Sequence, residues 1–263
     1  RPAALDASGF VVARRSATVS APIPGRLVEV LIDAGSKVAA GSVMARLDDR
    51  PYRIRLDQAR AGLAQARSQQ AAAQTALALA EPVFRRYASQ RAGGFISEQD
   101  YDAARTQYEA AKSSLDIAAR AAEAAATQVT AAERDLTDTV IRAPFSGVIT
   151  YKGAQAGEIV SPIAQGGGFT RTGIGTIVDM DSLEVEVDVN EAYINRVRAG
   201  QGATVRLNAY PDWQIPASVI AIIPTADRAK ATVKVRIGFR QRDARILPEM
   251  GARVSFDAGD AGN

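Results

Sequence analysis

Apolar side chains between residues 50 and 138 recur at spacings that alternate between three and four. The first part of this segment repeats over five heptads, at Leu56, Ala59, Leu63, Ala66, Gln70, Ala73, Leu77, Ala80, Phe84 and Tyr87. The second part repeats in the same way, at Tyr101, Ala104, Tyr108, Ala111, Leu115, Ala118, Ala122, Ala125, Val129, Ala132 and Leu136. Such a sustained seam predicts two coiled-coil helices of about 40 residues each, forming an antiparallel hairpin over residues 50–138 that reaches ~60 Å.

The reversal between the two helices is predicted at residues 91–97, which we name the hairpin tip. Ser97, with Asp100 three residues later, is typical of a capping box that opens the second helix, although Asp replaces the usual Glu. Pro82 has no backbone N–H to donate, which predicts a kink or a short break in the first helix near the tip. Gln70 places one polar side chain in the seam, where a polar residue can fix the register.

The segments on either side of the hairpin resemble each other. The pattern Ala-Pro-x-x-Gly at residues 21–25 recurs at residues 143–147. Ten residues after each closing glycine comes a second glycine, Gly35 in the first copy and Gly157 in the second, and a valine follows three residues later in both. Equal offsets at so many positions indicate an internal repeat.

Each half of the repeat is too short to bury an apolar face by itself. We therefore expect residues 16–49 and 139–181 to clasp together as one small β-domain that the helical hairpin splits in sequence. Gly175 is expected to be the counterpart of Gly41. This pairing gives the second copy about twelve extra residues, around residues 166–168.

From residue 182 to residue 257 the pattern is that of short strands. Apolar and polar residues alternate over residues 183–190, and a short helix begun by Asn190 is predicted at residues 191–197. Five or six strands with one helix predict a small β-barrel, which residues 8–15 are expected to join. The further strand patterns lie at residues 203–207, 215–223, 232–237 and 252–256.

The alternating strand carries three acidic side chains, Glu184, Glu186 and Asp188. A row of carboxylates can bind a metal ion. Alternation places all three on one face of the strand, however, and we expect this face to be exposed and solvated. No metal site is therefore predicted.

Composition excludes several classes of function. The chain contains neither histidine nor cysteine, which nearly excludes triad hydrolysis, zinc catalysis of the usual kinds and disulfide frameworks. The net charge of +3 is spread along the chain, so we expect a solvated surface and no nucleic-acid partner. No apolar run approaches the ~20 residues of a membrane-spanning helix. We expect either a soluble protein or one whose signal or anchor lies upstream.

The order of half-domain, helical hairpin, half-domain and β-barrel resembles that of the periplasmic adaptors, also called membrane fusion proteins. The resemblance implies a mixed α and β, multi-domain and elongated fold whose split domain is lipoyl-like. It also implies a periplasmic subunit that bridges an inner-membrane transporter and an outer-membrane channel of the TolC-like class for drug efflux or secretion. No catalysis and no cofactor are implied. The stretches that carry the resemblance are residues 20–30, 142–150, 179–191 and 246–254.

The resemblance implies a channel-binding site at the hairpin tip. Family members carry an arginine, a leucine four residues later and a serine seven residues after that; here the matching positions are Arg86, Gln90 and Ser97. Gln90 departs from the family pattern, in which a leucine stands at this position.

Assembly and anchoring follow from the same resemblance. It implies a homo-oligomer, typically a six-membered ring, held to the inner membrane by a segment outside this chain. The resemblance implies a further membrane-proximal domain formed from both chain ends; because this sequence starts just before the first half-domain and stops just after the barrel, we expect a shortened or abbreviated member. The stretch at residues 179–191 slightly favours an ATP-driven, ABC-type transporter over a proton-driven, RND-type one.

Two other hypotheses belong to different functional classes. A biotin or lipoyl carrier domain presents a modified lysine between its two halves, whereas residues 47–51 read Leu-Asp-Asp-Arg-Pro. A covalent adduct in the intact mass of the native protein would favour the carrier. A structural coiled-coil rod without a transport partner is the other hypothesis, and an upstream signal peptide, lipidation site or membrane helix would favour the adaptor over it.

Overall fold

A computed structural model describes residues 5–162, 170–171, 173–227 and 231–257. The predicted extra loop around residues 166–168 lies outside the described residues. The mixed α and β fold, with a split β-domain, a long helical hairpin and a small β-barrel, is confirmed. In chain order the elements are β1 (Leu5–Ala13), β2 (Ser16–Val19), β3 (Gly25–Val30), β4 (Lys37–Val38), β5 (Val43–Leu47), α1 (Arg50–Ala92), α2 (Glu98–Asp138), β6 (Val140–Arg142), β7 (Gly147–Lys152), β8 (Ile159–Val160), β9 (Thr170–Arg171), β10 (Gly175–Val178), β11 (Leu183–Asn190), β12 (Gly202–Leu207), β13 (Tyr210–Asp227), β14 (Thr232–Phe239) and β15 (Gly251–Phe256).

The helical hairpin packs through the predicted seam. Every seam position is buried or half-buried, while most of the remaining helical residues are exposed. Most of the buried seam residues are alanines, which allow the two helices to approach closely. The buried side chains of the hairpin are Tyr52, Leu56, Ala66, Ala73 and Ala80 in α1 and Ala104, Ala122 and Ala132 in α2.

Pro82 does not break α1, because the helix is assigned without interruption from residue 50 to residue 92. The predicted short break is therefore wrong. Both Pro82 and Ala78, the residue whose carbonyl loses its helical partner, are exposed, so water can satisfy that carbonyl. Seam residues on either side of Pro82 pack toward α2, with Ala80 buried and Phe84 stacked on Tyr108.

The two halves of the split β-domain are related by a pseudo-two-fold axis. In one half β3 pairs with β8, with Gly25 opposite Val160. In the other half β4 pairs with β7, with Val38 opposite Gly147. Each pairing therefore joins a strand of one copy to a strand of the other, as expected for clasped halves.

Backbone hydrogen bonds obey the same symmetry. The Gly35 N–H donates to the Ile149 carbonyl at 2.7 Å, and the Gly157 N–H donates to the Leu27 carbonyl at 2.7 Å. Both glycines have positive φ, at 89° and 93°, a conformation that favours glycine at these turns. The internal repeat is thereby confirmed.

One pairing within the repeat needs correction. Gly41 lies in a turn with φ of 78°, whereas Gly175 lies inside β10 and has no positive φ. An added Cβ at Gly175 would meet the Ile32 side chain and a backbone oxygen within 3 Å. The two glycines are therefore not counterparts, because one serves a turn and the other a close approach between strands.

The predicted β-barrel is closed, in the strand order β1-β11-β14-β13-β12-β15. The amino-terminal strand β1 lies between β11 and β15 and completes the barrel. Inward-facing side chains such as Val11, Val187 and Val254 are fully buried. The predicted short helix is present as a 3₁₀ helix at Glu191–Arg196, capped by the Asn190 side chain.

The acidic row on β11 does not form one solvated face. Glu184 is only 7% exposed and binds Arg236 of β14 through two hydrogen bonds of 2.8 and 2.9 Å. Glu186 pairs with Lys234 at 2.9 Å. The expectation of a shared solvated face is therefore wrong for Glu184. Alternation along β11 predicts on which face of the strand Glu184 lies, but it does not predict that a side chain of the neighbouring strand β14 covers it.

Candidate docking site at the hairpin tip

The end of α1 is closed by a Schellman-type turn. The Phe95 N–H donates to the Gln90 carbonyl at 3.0 Å, and the Gly94 N–H donates to the Arg91 carbonyl at 3.0 Å. Gly94 has φ of 73°, the left-handed conformation that this motif requires. Gly94 therefore serves the turn itself, whereas Gly93 leaves room for the Phe95 ring, which would lie 2.6 Å from an added Cβ.

The start of α2 is closed by an N-cap at Ser97, as predicted, but its hydrogen bonds differ from those of a capping box because the Asp100 carboxylate accepts from the Ser97 hydroxyl. The Ser97 hydroxyl accepts a hydrogen bond from the Asp100 N–H at 3.2 Å and donates to the Asp100 carboxylate at 2.6 Å. Glu98 and Asp100 also place negative charge in the first turn of α2, where it interacts favourably with the helix dipole. At both helix ends of the tip, backbone groups that lack helical partners are thus hydrogen-bonded to nearby residues.

An aromatic cluster braces the two helices just behind the tip. Phe84 of α1 stacks on Tyr108 of α2 with ring centroids 4.9 Å apart, and Tyr101 lies 5.9 Å from Phe84. The Arg91 guanidinium lies 4.4 Å from the centre of the Tyr101 ring and pairs with Glu98 at 3.0 Å. These contacts hold the tip in a defined conformation.

The structure places all three predicted site residues on the surface near the tip. Arg86 and Gln90 lie one helical turn apart near the end of α1, and both are exposed. The Arg86 guanidinium lies 6.0 Å from the centre of the Tyr87 ring. Ser97 is exposed but has a structural role, because its hydroxyl is engaged in the cap.

Phe95 is the prominent tip residue that sequence reasoning missed. Its side chain is 86% exposed, with one edge of the ring lying against Gly93 at the end of α1. The signal was present in the sequence as a phenylalanine directly after two glycines in a reversal. An exposed aromatic side chain on a rigid turn is suited to insertion into an apolar site on another protein.

The base of the hairpin is fixed to the split β-domain. The hydroxyl of Tyr52 in α1 donates to the Pro24 carbonyl at 2.5 Å, and burial raises the pKa of Tyr52. The Arg50 guanidinium beside Asp48 binds its carboxylate at 2.6 Å and holds the pKa of that carboxyl well below its usual range. The Leu47 N–H donates to the carbonyl of Thr139 at 2.8 Å, which joins the two ends of the hairpin.

Residues 5–162, 170–171, 173–227 and 231–257 contain no group of three or more acidic side chains arranged to hold a metal ion. The lowered carboxyl pKa values belong to Asp48 and Asp243, two half-buried side chains that each pair with a neighbouring arginine. Within the same residues, no helix has both the length and the apolar character needed to cross a bilayer.

Two family models match the chain, one over the split β-domain with its helical hairpin and one over the β-barrel. Residues 15–167 match the family described as RND MFP, barrel-sandwich hybrid domain. Residues 183–260 match the CusB-like, beta-barrel domain.

Curated relatives match over nearly the whole chain. Identity is 25% to the multidrug resistance protein MdtA of Yersinia enterocolitica, over 97% of this chain and 56% of that protein. It is 29% to the nodulation protein NolF of Rhizobium meliloti, over 96% and 61%, and 23% to the macrolide export protein MacA of Escherichia coli, over 98% and 68%. The chain therefore spans little more than half the length of several of these relatives.

Solved structures confirm the fold. MacA from Actinobacillus actinomycetemcomitans superposes with a TM-score of 0.82 at 19% identity, over 97% of this chain and 78% of that one. A membrane fusion protein from Streptococcus pneumoniae superposes with a TM-score of 0.74 at 17% identity, over 97% and 99%. Because the first family match covers more than half of the 263 residues, the chain belongs to the membrane fusion proteins, the periplasmic adaptors of efflux and secretion systems.

Proposed function

We propose that this protein is a non-catalytic periplasmic adaptor that bridges an inner-membrane transporter and an outer-membrane exit channel. The observation that carries the proposal is a long hairpin, fixed at its base, that presents the exposed Phe95 on a rigid turn. Relatives named for multidrug resistance and for macrolide export support drug efflux as the process. The chain would act by shape and contact, with no cofactor.

The tip would bind a channel of the TolC-like class. Arg86 and Gln90 would contribute polar contacts, and Phe95 would supply the apolar contact that Gln90 does not offer. Ser97 would act chiefly by capping α2, which keeps the turn rigid. An aromatic anchor beside an arginine is a combination that often dominates the affinity of a protein interface.

The same proposal includes the other parts of the assembly. Residues 16–49 and 139–181 would form the lipoyl-like domain, and residues 182–257 with 8–15 the barrel domain. Copies of the adaptor would assemble as a homo-oligomer, with six in a ring. The protein would be anchored to the inner membrane by a segment outside this chain.

The class of the transporter can be tested by its energy source. The stretch at residues 179–191 slightly favours an ATP-driven partner, whereas the barrel-sandwich family that matches the chain carries the RND name in its description. If the partner is proton-driven, an uncoupler should abolish efflux by cells while ATP is maintained. If it is ATP-driven, a Walker-motif substitution in the transporter encoded beside the adaptor should abolish efflux instead.

Docking at the tip can be tested by photo-crosslinking in cells. A photo-reactive phenylalanine analogue at position 95 should form an adduct with the outer-membrane channel, and the same analogue at the exposed mid-rod position Ser113 should not. Phe95→Asp, Arg86→Asp and Ser97→Glu should each weaken cross-linking and lower drug resistance. Two results would each contradict tip docking. One is normal drug resistance in cells whose analogue at position 95 forms no adduct with the channel, and the other is normal drug resistance in cells that carry Phe95→Asp.

A further inference from the structure

A cavity lies where the β-barrel meets the connection that joins it to the split β-domain. Its volume is about 560 Å³, which falls in the range of pockets that bind small molecules. One wall is the connection, with Arg14 and residues 180–183. The other wall is the barrel, with Ile220, Gly238 and part of the segment 239–246. We name this space the junction cavity.

The wall formed by the connection is held in place by hydrogen bonds between its two strands of chain. The Arg14 N–H donates to the Ser182 carbonyl at 2.9 Å, and the Asp179 N–H donates to the Arg15 carbonyl at 2.9 Å. The Ser182 hydroxyl also accepts from the Arg15 N–H at 3.0 Å. This wall is therefore formed by the chain itself and does not require a ligand.

The wall formed by the barrel is shaped by a β-bulge and a glycine. Between Val219 and Ala221 the pairing of β13 with β14 shifts by one residue, so Ile220 has no partner on β14. The Ile220 side chain lies over Gly238, where an added Cβ would be 2.9 Å from the Ile220 Cδ1 atom. Bulges often redirect a side chain beside a binding site, and this one leaves Ile220 44% exposed in the cavity wall.

Part of the cavity lining is apolar. Ile246 is buried in the barrel core, and Leu183 and Phe239 are half-buried against the same core. Met180 of the connection is also half-buried in the lining. Together with Ile220, these side chains offer a surface on which a hydrocarbon or aromatic group can leave water.

Every acidic side chain in the lining already has an arginine partner. The pairs are Asp181 with Arg242 at 3.2 Å, Glu184 with Arg236 at 2.7 Å and Asp243 with Arg245 at 2.8 Å. The acidic groups are thus compensated, and the lining offers no free carboxylate to a cationic ligand.

Arg14 differs from the other charged side chains of the lining. It is exposed at the cavity, and within the part of the chain that the structure describes it makes no ion pair. A guanidinium can bind a carboxylate through two parallel hydrogen bonds. The surplus charge of the junction cavity is therefore positive and has the geometry to hold an anion.

We propose that the junction cavity binds an amphipathic anion. Its carboxylate would pair with Arg14, and its apolar body would lie against Ile220 and Phe239. The ion pair of Asp181 with Arg242 joins the two walls at the rim, where both side chains are more than 70% exposed. Because such exposed pairs contribute little stability, this one can open to admit the ligand.

This inference goes beyond the proposed function, because the cavity would bind its ligand whether or not the hairpin tip docks on a channel. The probe is decanoate, and the matched control is decyltrimethylammonium, a cation with a similar chain, both below the concentrations at which they form micelles. Methyl NMR on the purified protein should show that decanoate shifts the Ile220 signal. The signal of Ile117, which is 66% exposed on the hairpin, should stay in place.

Isothermal titration calorimetry should give decanoate an affinity about tenfold higher than that of the cation. Arg14→Gln should lower the decanoate affinity by about tenfold and leave that of the cation unchanged. Arg15→Gln is the matched control, because the Arg15 guanidinium lies over the Phe145 ring at 4.5 Å and does not line the cavity. This variant should bind decanoate as the unmodified protein does.

Three results would each overturn the inference. They are shifts of equal size at Ile220 and Ile117, equal affinities for the anion and the cation, and a decanoate affinity that Arg14→Gln does not change. Ile220→Ser should also lower the decanoate affinity, since it removes part of the apolar wall while Arg14 remains. None of these results bears on tip docking, which photo-crosslinking at position 95 tests separately.

Discussion

Replacing Ser97 with alanine separates a structural role at the tip from a binding role. The substitution removes the acceptor for the Asp100 N–H, at 3.2 Å, and the donor to the Asp100 carboxylate, at 2.6 Å. Loss of an N-cap serine costs about 1 kcal/mol, which corresponds to about a fivefold larger open population of the first turn of α2. Because the cap acts only on the helix end, we expect this opening to be local.

Amide hydrogen exchange measures that opening directly. Ser97→Ala should accelerate exchange of the Asp100 amide, which donates to the Ser97 hydroxyl, by about fivefold, whereas Ser113→Ala, at an exposed position in the middle of α2, should leave this amide unchanged. Ser97→Asn keeps a side-chain acceptor and should restore slow exchange and channel cross-linking together. Unchanged exchange in Ser97→Ala would refute the cap, and loss of cross-linking in Ser97→Asn despite slow exchange would make the hydroxyl a direct contact.

Three further predictions concern the β-domains, the first two measured by urea titration. Gly147→Ala should lower the free energy of unfolding by about 1–3 kcal/mol, because the added methyl group would overlap a backbone carbonyl of β10. Gly25 is the symmetry-related glycine, and Gly25→Ala should lower the free energy of unfolding by less, because only a leucine side chain at 3.2 Å must adjust. Glu184→Ala should lower the free energy of unfolding by about 2 kcal/mol, since it leaves the partly buried guanidinium of Arg236 without its carboxylate. Glu186→Ala should lower it by less than about 0.5 kcal/mol, and equal losses of stability in the two variants would contradict this difference. The Arg245 guanidinium lowers the pKa of Asp243 from 3.8 to about 2. The stabilisation from this ion pair is therefore present above pH 3.8 and is lost as the pH falls toward 2. An Asp243 carboxyl that titrates near pH 3.8 when followed by NMR would contradict this pair.

The hairpin and the repeat could be predicted from the sequence because both are periodic. The seam appears as a spacing that persists for ten positions in α1, and tertiary packing follows the same spacing. The repeat appears as equal offsets between glycines, and the turns at Gly35 and Gly157 need the backbone freedom that glycine provides. The pairing of Gly175 with Gly41 was wrong because glycine is needed for positive φ in a turn and for close approach within a strand, and the sequence does not distinguish these two uses.

The parts that sequence reasoning missed depend on contacts between distant residues. The burial of Glu184 depends on Arg236, 52 positions later, whose guanidinium covers the carboxylate. The continuity of α1 through Pro82 depends on seam contacts with α2. The exposure of Phe95 depends on the direction in which the turn leaves α1. Local periodicity carries none of this information.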